Sequence, residues 1–203
     1  MPLIEDCHVI SGQAHLPARI NELLESAPIT RAVVLRERLN VEFPVLRDRL
    51  SRLYGGNKNF SDWLNQLVIQ SLHLALTRPD DLWTLDIQRA SQPNWHLQGS
   101  LGYCAYTDKF AGNLSGVRQR ISHLQELGVT YLHLLPFLKP GTPPNDGGFA
   151  VASYDEVDPA LGNNQDLQTL TKELRAAGIS LCSDFVLNHV SHEHKWALKA
   201  RAG

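Results

Sequence analysis

ISLCSDFVLNH, from Ile179 to His189, sets a short run of mostly apolar residues in front of Asn188 and His189. Such a run reads as a buried parallel strand that delivers its last polar side chains to the sheet edge where α/β enzymes keep their chemistry. A strand is predicted from Ile179 to Leu187. Before it, Leu167, Leu170 and Leu174 share one face of a predicted helix over Asp166 to Ala177, with Gly178 just past its last turn.

The same alternation continues upstream. VTYLHLLPF, Val129 to Phe137, reads as a second strand closed by proline. Leu114, Val117, Ile121, Leu124 and Leu127 form one face of a helix ending at Gly128, and GYCAYT, Gly102 to Thr107, reads as the first strand. Strand, helix, strand, helix, strand with short helix-to-strand turns predicts a parallel sheet with right-handed crossovers. The segment from Pro136 to Asn164 is far longer than an ordinary connection, which marks it as a binding loop.

The N-terminal half has a different period. Leu35, Leu39, Phe43, Leu46, Leu50 and Leu53 recur at helical spacing, interrupted by Pro44, where a kink or a new helix is predicted. Gly55 and Gly56 end that segment; Leu64, Leu67, Leu72 and Ala75 keep the period from Ser61 until Arg78 and Pro79 stop it. Ser91 to Ser100, with Pro93, Asn94 and Gly99, reads as the connection. The predicted organisation is therefore an all-helical domain over 1–90 and a β/α domain over 91–203.

Composition narrows the function classes. With 203 residues, 43% hydrophobic and 20% charged, the chain has the balance of a folded protein. A formal net charge of -2, with basic and acidic residues interleaved, gives no field for nucleic acid. No stretch approaches the roughly 20 apolar residues that cross a bilayer, and no export signal opens the chain, so a cytoplasmic protein without membrane association is expected. Cys7, Cys104 and Cys182 form no CxxC pair; Cys104 and Cys182 are expected to be small buried hydrophobes.

In a parallel sheet all strand-to-helix loops leave from one edge, so Asp108, the long loop, and Asn188 with His189 are predicted to converge. The loop carries NDGGFAVASYDEVDPALG, Asn145 to Gly162, where Gly147 and Gly148 permit tight backbone geometry between the carboxylate of Asp146 and the ring of Phe149. A carboxylate beside a ring suits a sugar: the acid accepts hydroxyl hydrogen bonds and the ring covers the apolar face of the pyranose. Asp146 also has an ordinary reading as the Asx residue of a turn before Gly-Gly, and Phe149 as a buried loop anchor. HVSHEH, His189 to His194, lacks the spacing of a zinc helix and reads as a solvated polar loop; His133 reads as a hydrogen-bonded core histidine. No metal or cofactor is expected: GxGxxG, GxxxxGK[ST] and GxSxG are all absent.

GVTYLHLLPF, then DGGFAVASYDEVDPALG, then AAGISLCSDFVLNHVSHEHKWA, in this order, resemble the first third of the α-amylase superfamily barrel (glycoside hydrolase family 13), and within it the amylosucrases. RLSRLYGGNKNFSDWLNQLV and LGYCAYTDKFAGNLSGV extend the resemblance upstream. It implies an N-terminal all-helical domain followed by the first three β/α units of a truncated (β/α)₈ barrel. It also implies a retaining glucosyltransferase lineage that cleaves sucrose, releases fructose and extends an α-1,4-glucan. The resemblance assigns Asp146, Phe149 and His189 to substrate binding, and Asp184 and Asn188 to holding the strand end in shape. Phe149 stands where the family usually has tyrosine, Val190 where threonine is usual and His192 where asparagine is common.

Retention needs two carboxyl groups roughly 5 Å apart, which the family takes from later strands. Their motifs do not occur here, so no residue of this chain is assigned a catalytic role and the chain is expected to be inactive alone. Gly99 to Gly203 falls well short of the about 250 residues of a full barrel. The open sheet edges of such a fragment predict self-association. Sucrose and α-glucans are the implied ligands. The alternatives are a non-catalytic carbohydrate-binding remnant, a helical interaction module built on residues 1–90, or a fragment of another superfamily member such as a sucrose phosphorylase, an α-glucosidase or a trehalose-forming enzyme.

Overall fold

The computed structural model describes residues 17–92 and 99–203. Cys7 and most of the expected connection, including Pro93 and Asn94, lie outside them. The chain forms two compact units, Met1–Ser91 and Gln92–Gly203.

The first unit is helical: α1 (Ala18–Glu25), α2 (Ile29–Tyr54), α3 (Phe60–Leu76) and α4 (Asp80–Ser91). Ile20 and Leu24 of α1, Leu35 and Phe43 of α2, and Leu64, Val68 and Leu72 of α3 form its core. Arg31 of α2 donates through one guanidinium nitrogen to the carbonyls of Leu76 and Arg78, each at 2.7 Å. It thereby satisfies acceptors that the end of α3 leaves without helical partners.

Two expectations change here. No new helix begins at Pro44; α2 runs through it. Proline costs a helix one hydrogen bond, but Phe43 on one side and Leu50 on the other pack against the core and hold both halves in line. The apolar face of α2 is also only partly used, since Leu46 and Leu53 are exposed and Val68, outside the predicted period, is buried.

The second unit contains β1 (Gly102–Ala105), α5 (Thr107–Ala111), α6 (Leu114–Gln119), α7 (Ile121–Glu126), β2 (Tyr131–Leu134), α8 (Asn164–Ala176), β3 (Ser180–Ser183) and α9 (Lys195–Ala202). The strands pair in parallel in the order β1-β2-β3, with Cys104 opposite His133 and His133 opposite Cys182. Leu132 and Leu134 of β2 face the helices and meet Leu114, Val117, Leu124, Leu170 and Leu174, all fully buried. Asn163 caps α8 by accepting from Gln165 and Asp166 N–H groups, while Asp166 accepts from the Asn163 N–H, a reciprocal box. Gly128 and Gly178, both at φ +76°, end α7 and α8 in the left-handed region.

The strands are shorter than predicted. β3 stops at Ser183, and Phe185 and Leu187 are exposed instead of buried. The register aligns Leu134 with Ser183, so the next position of β2 in phase is Pro136, which has no N–H to continue the ladder. The predicted helix over Leu114 to Leu127 divides at Arg120 into α6 and α7. Cys104 is exposed and Cys182 half-buried, contrary to the buried-hydrophobe reading. Both lie in the register row on the sheet face opposite the helices, whose packing buries only the other side.

Candidate functional site

The site is assembled from the two segments that follow β2 and β3. The first leaves β2 at Leu134 and returns on itself: the Lys139 N–H donates to Glu156 O at 2.9 Å, Ala152 N–H to Lys139 O at 2.8 Å, and Asp158 N–H to Phe137 O at 2.9 Å. Isolated antiparallel bridges, Leu138 with Val157 and Pro140 with Val151, complete this fold-back. The expected long loop is therefore an ordered hairpin-like platform. Its tip is the stretch from Asn145 to Ala150.

The second segment is pinned onto the first. Ser191 N–H donates to Val151 O at 2.9 Å, and Thr142 N–H donates to Glu193 Oε2 at 2.9 Å. Tyr154 O–H donates to Val186 O. The Thr142 N–H holds the Glu193 carboxyl below its ordinary value. These contacts fix the position of Asn188 and His189 over the loop tip.

At the tip, Asp146 Oδ1 accepts from the Ala150 N–H at 2.8 Å and Oδ2 lies 3.4 Å from His189 Nε2. A carboxylate only accepts, so His189 Nε2 carries the hydrogen; its Nδ1 is then the acceptor facing Asn188 Nδ2 at 3.4 Å. The Ala150 N–H, with His189 second, holds the Asp146 carboxyl below the ordinary carboxylate value. Both side chains remain nearly half exposed, at 44% for Asp146 and 46% for His189, so the pair is open to a ligand. Phe149 is half-buried three residues along the same turn, where Gly147 and Gly148 hold positive φ. Asp146 thus serves the turn, as its Asx reading held, and still presents Oδ2 outward.

Asp184 stands apart from this pair. Its Oδ1 accepts from His133 Nε2 at 3.2 Å, which ties the end of β3 to β2. Asp108 pairs with Lys109 at 2.8 Å and lines a pocket of about 470 Å³ with Tyr106, Asn145, Gly147 and Gly148. The HVSHEH segment is not uniformly solvated: His194 is fully buried, and its Nδ1 accepts from Trp196 N–H at 3.1 Å to cap α9. Tyr154, Ser191 and His194 were not singled out by sequence reasoning. Their roles depend on partners tens of residues away, and the one local signal is the short His194–Trp196 spacing at a helix start. Among the described residues, no group of three or more His, Cys, Asp or Glu side chains is placed to hold a metal, and no helix is long and apolar enough to cross a membrane.

Comparison with known proteins places this geometry. The chain is 32% identical over 117 residues to a palatinase of Erwinia rhapontici, covering 54% of this chain and 20% of the palatinase. It is 34% identical over 115 residues to the trehalose-6-phosphate hydrolase of Escherichia coli strain K12, covering 53% and 20% respectively. Among solved structures, a trehalulose synthase shares 27% identity at a TM-score of 0.47, over 51% of this chain and 20% of that one. The chain spans about one fifth of the length of the curated relatives it matches. The α-amylase catalytic domain family matches residues 64–203, beginning inside α3 and running through all three β/α units. The chain belongs to the α-amylase family, and its three β/α units are the opening units of that family's (β/α)₈ barrel.

Proposed function

We propose that Asp146, Phe149 and His189 form a binding half-site for the α-glucosyl unit of an oligosaccharide, and that residues 1–90 and 91–203 act as separate domains of a retaining α-glucosyl-processing enzyme. The observation that supports this reading is the outward pairing of Asp146 Oδ2 with the His189 Nε2–H beside the half-buried ring of Phe149. An acceptor and a donor side by side match the vicinal hydroxyls of a pyranose, and a ring edge beside them suits its apolar face. Asp184 and Asn188 hold the segment in place, Asp184 through His133 and Asn188 through the His189 ring.

The finer reading is an amylosucrase-type reaction, in which sucrose donates glucose to an α-1,4-glucan. The helical unit supports it, through the resemblance of RLSRLYGGNKNFSDWLNQLV, which spans the end of α2 and the start of α3. A second reading, an α-glucosidase, is favoured by the relatives: a palatinase, an oligo-1,6-glucosidase and a trehalose-6-phosphate hydrolase. Either reaction requires a nucleophile and an acid/base pair roughly 5 Å apart, a role that no carboxylate of this chain is assigned. The chain is therefore read as a binder without turnover of its own.

Titration calorimetry tests this. Sucrose and maltooligosaccharides are expected to give saturable heat with the chain, lost in Phe149→Ala and His189→Ala, with no fructose or glucose released. Absence of saturable heat at high millimolar ligand would overturn the half-site. Preference for sucrose over isomaltose would favour the amylosucrase reading, and the reverse order the glucosidase.

A further inference from the structure

The sheet face opposite the helices carries a second arrangement that sugar binding does not use. The parallel register sets Cys104, His133 and Cys182 in one row across β1, β2 and β3. Cys104 Sγ lies 3.6 Å from His133 Nδ1, and His133 Nε2 lies 3.2 Å from Asp184 Oδ1. The carboxylate can only accept, so the Nε2 hydrogen belongs to that contact. Nδ1 is then the bare nitrogen of the ring, and the Cys104 S–H donates to it. Thiol, imidazole and carboxylate stand in the order in which a nucleophile, its base and the group that orients the base are arranged in thiol enzymes.

We propose that Cys104, His133 and Asp184 form a reactive thiol site for low-molecular-weight disulfides, with Cys104 as the nucleophile, His133 as its base and Asp184 as the positioning residue. Cys104 is exposed, which gives such a disulfide access to the sulfur. In the step, Cys104 Sγ forms a bond to one sulfur of the disulfide, the original S–S bond breaks, and the other sulfur leaves as a thiolate. The thiol proton passes to His133 Nδ1, and the leaving thiolate takes it up from there. Asp184 balances the imidazolium while it exists. Its Oδ2 is buried and has no hydrogen-bond partner among the described residues, so its charge is free to serve the ring.

Cys182 provides the reference inside the same molecule. It sits on the other side of His133 in the same row, but both ring nitrogens are already directed to Cys104 and Asp184. Its contact is the Tyr131 hydroxyl, which is no base at neutral pH. Two strands separate the cysteines, a span of roughly 9 to 10 Å at ordinary strand spacing, so they do not join to each other in this fold. The product is a mixed disulfide on Cys104.

Dithiodipyridine in the presence of the full chain, followed by acid quench and peptide mapping of Cys7, Cys104 and Cys182, tests the site. Cys104 is expected to be modified on the order of tenfold to a hundredfold faster than Cys182, the lower part of what a positioned base supplies. His133→Gln is expected to remove most of that advantage, and added imidazole to restore it in His133→Gly. Asp184→Asn is expected to reduce it with circular dichroism unchanged. Within the wild-type chain, the ratio of the two rates is expected to collapse towards one in urea, a comparison that does not depend on whether any variant folds. Equal native rates for Cys104 and Cys182, a ratio unchanged by urea, or a folded His133→Gln variant with the wild-type rate would overturn the proposal.

Discussion

His189 Nε2 lies 3.4 Å from Asp146 Oδ2, across 43 residues of sequence. The carboxylate is already committed on its other oxygen, where the Ala150 N–H donates at 2.8 Å. That backbone contact is the larger cause of the lowered Asp146 pKa, with the side-chain contact from His189 the smaller. A folded-state value below the unfolded one stabilises the turn above the ordinary value of 3.8, and the contribution disappears as pH falls through the lower folded value. Carboxyl-carbon NMR is expected to show Asp146 titrating below 3.8, and His189→Ala is expected to raise it only part of the way back. A His189→Ala variant whose Asp146 returned fully to 3.8 would reverse the order of the two causes.

Much of this arrangement was legible before any coordinates. Leu170 and Leu174 are spaced for one helix face and are both fully buried, and loops that follow parallel strands must leave from one edge, which brings Asp146 and His189 together. Strand ends were less legible, because the ladder fails beyond Ser183 through the partner strand's Pro136, a pairing that appears only once the register is known. Side-chain contacts across strands, such as His133 with Asp184, depend on the same register. Leu46 and Leu53 keep a helical period yet stay exposed, since period alone does not say how wide a neighbouring helix will cover. His194 looked like one more polar residue in a loop. Its burial comes from the rings of Tyr154 and Trp196, at 5.4 and 4.5 Å.

Gly141 is where the two site segments touch most closely. A methyl group there would meet Ser191 Oγ at 2.4 Å and Ser191 Cβ at 3.2 Å, and Ser191 is buried. The serine cannot swing clear without breaking its N–H bond to Val151 O. Gly141→Ala is expected to cost about 1–3 kcal/mol by overpacking and to loosen His189 from Asp146. Urea denaturation reads the first effect, and the His189 ring shifts in NMR read the second. Wild-type stability in the alanine variant would mean that the two segments are not held together at this point.

The helix layer offers a paired comparison. Leu174 of α8 is fully buried against the sheet, whereas Leu127, at the end of α7, is 47% exposed. Removing Leu174 leaves a cavity among Leu132, Leu134 and Leu170, so Leu174→Ala is expected to destabilise the second unit by about 2–5 kcal/mol. Leu127→Ala is expected to stay within about 0.5 kcal/mol. Denaturant midpoints at constant slope test the pair, and similar losses at both positions would contradict the burial that distinguishes them.

The outer side of β3 carries the remaining apolar surface. Phe185, Leu187, Trp196 and Leu198 are each at least half exposed, and β3 is an edge strand of the sheet with no partner beyond it among the described residues. An unpaired parallel edge next to apolar side chains offers another chain both ladder hydrogen bonds and burial, the combination that protein edges are usually built to avoid. Sedimentation velocity is expected to show an apparent mass that rises with concentration. Leu187→Lys places a charge beside that edge without touching the core, and is expected to shift the distribution towards the single chain. A mass that stays monomeric over a wide concentration range, or one that the lysine leaves unchanged, would remove β3 and its neighbours as the surface of association.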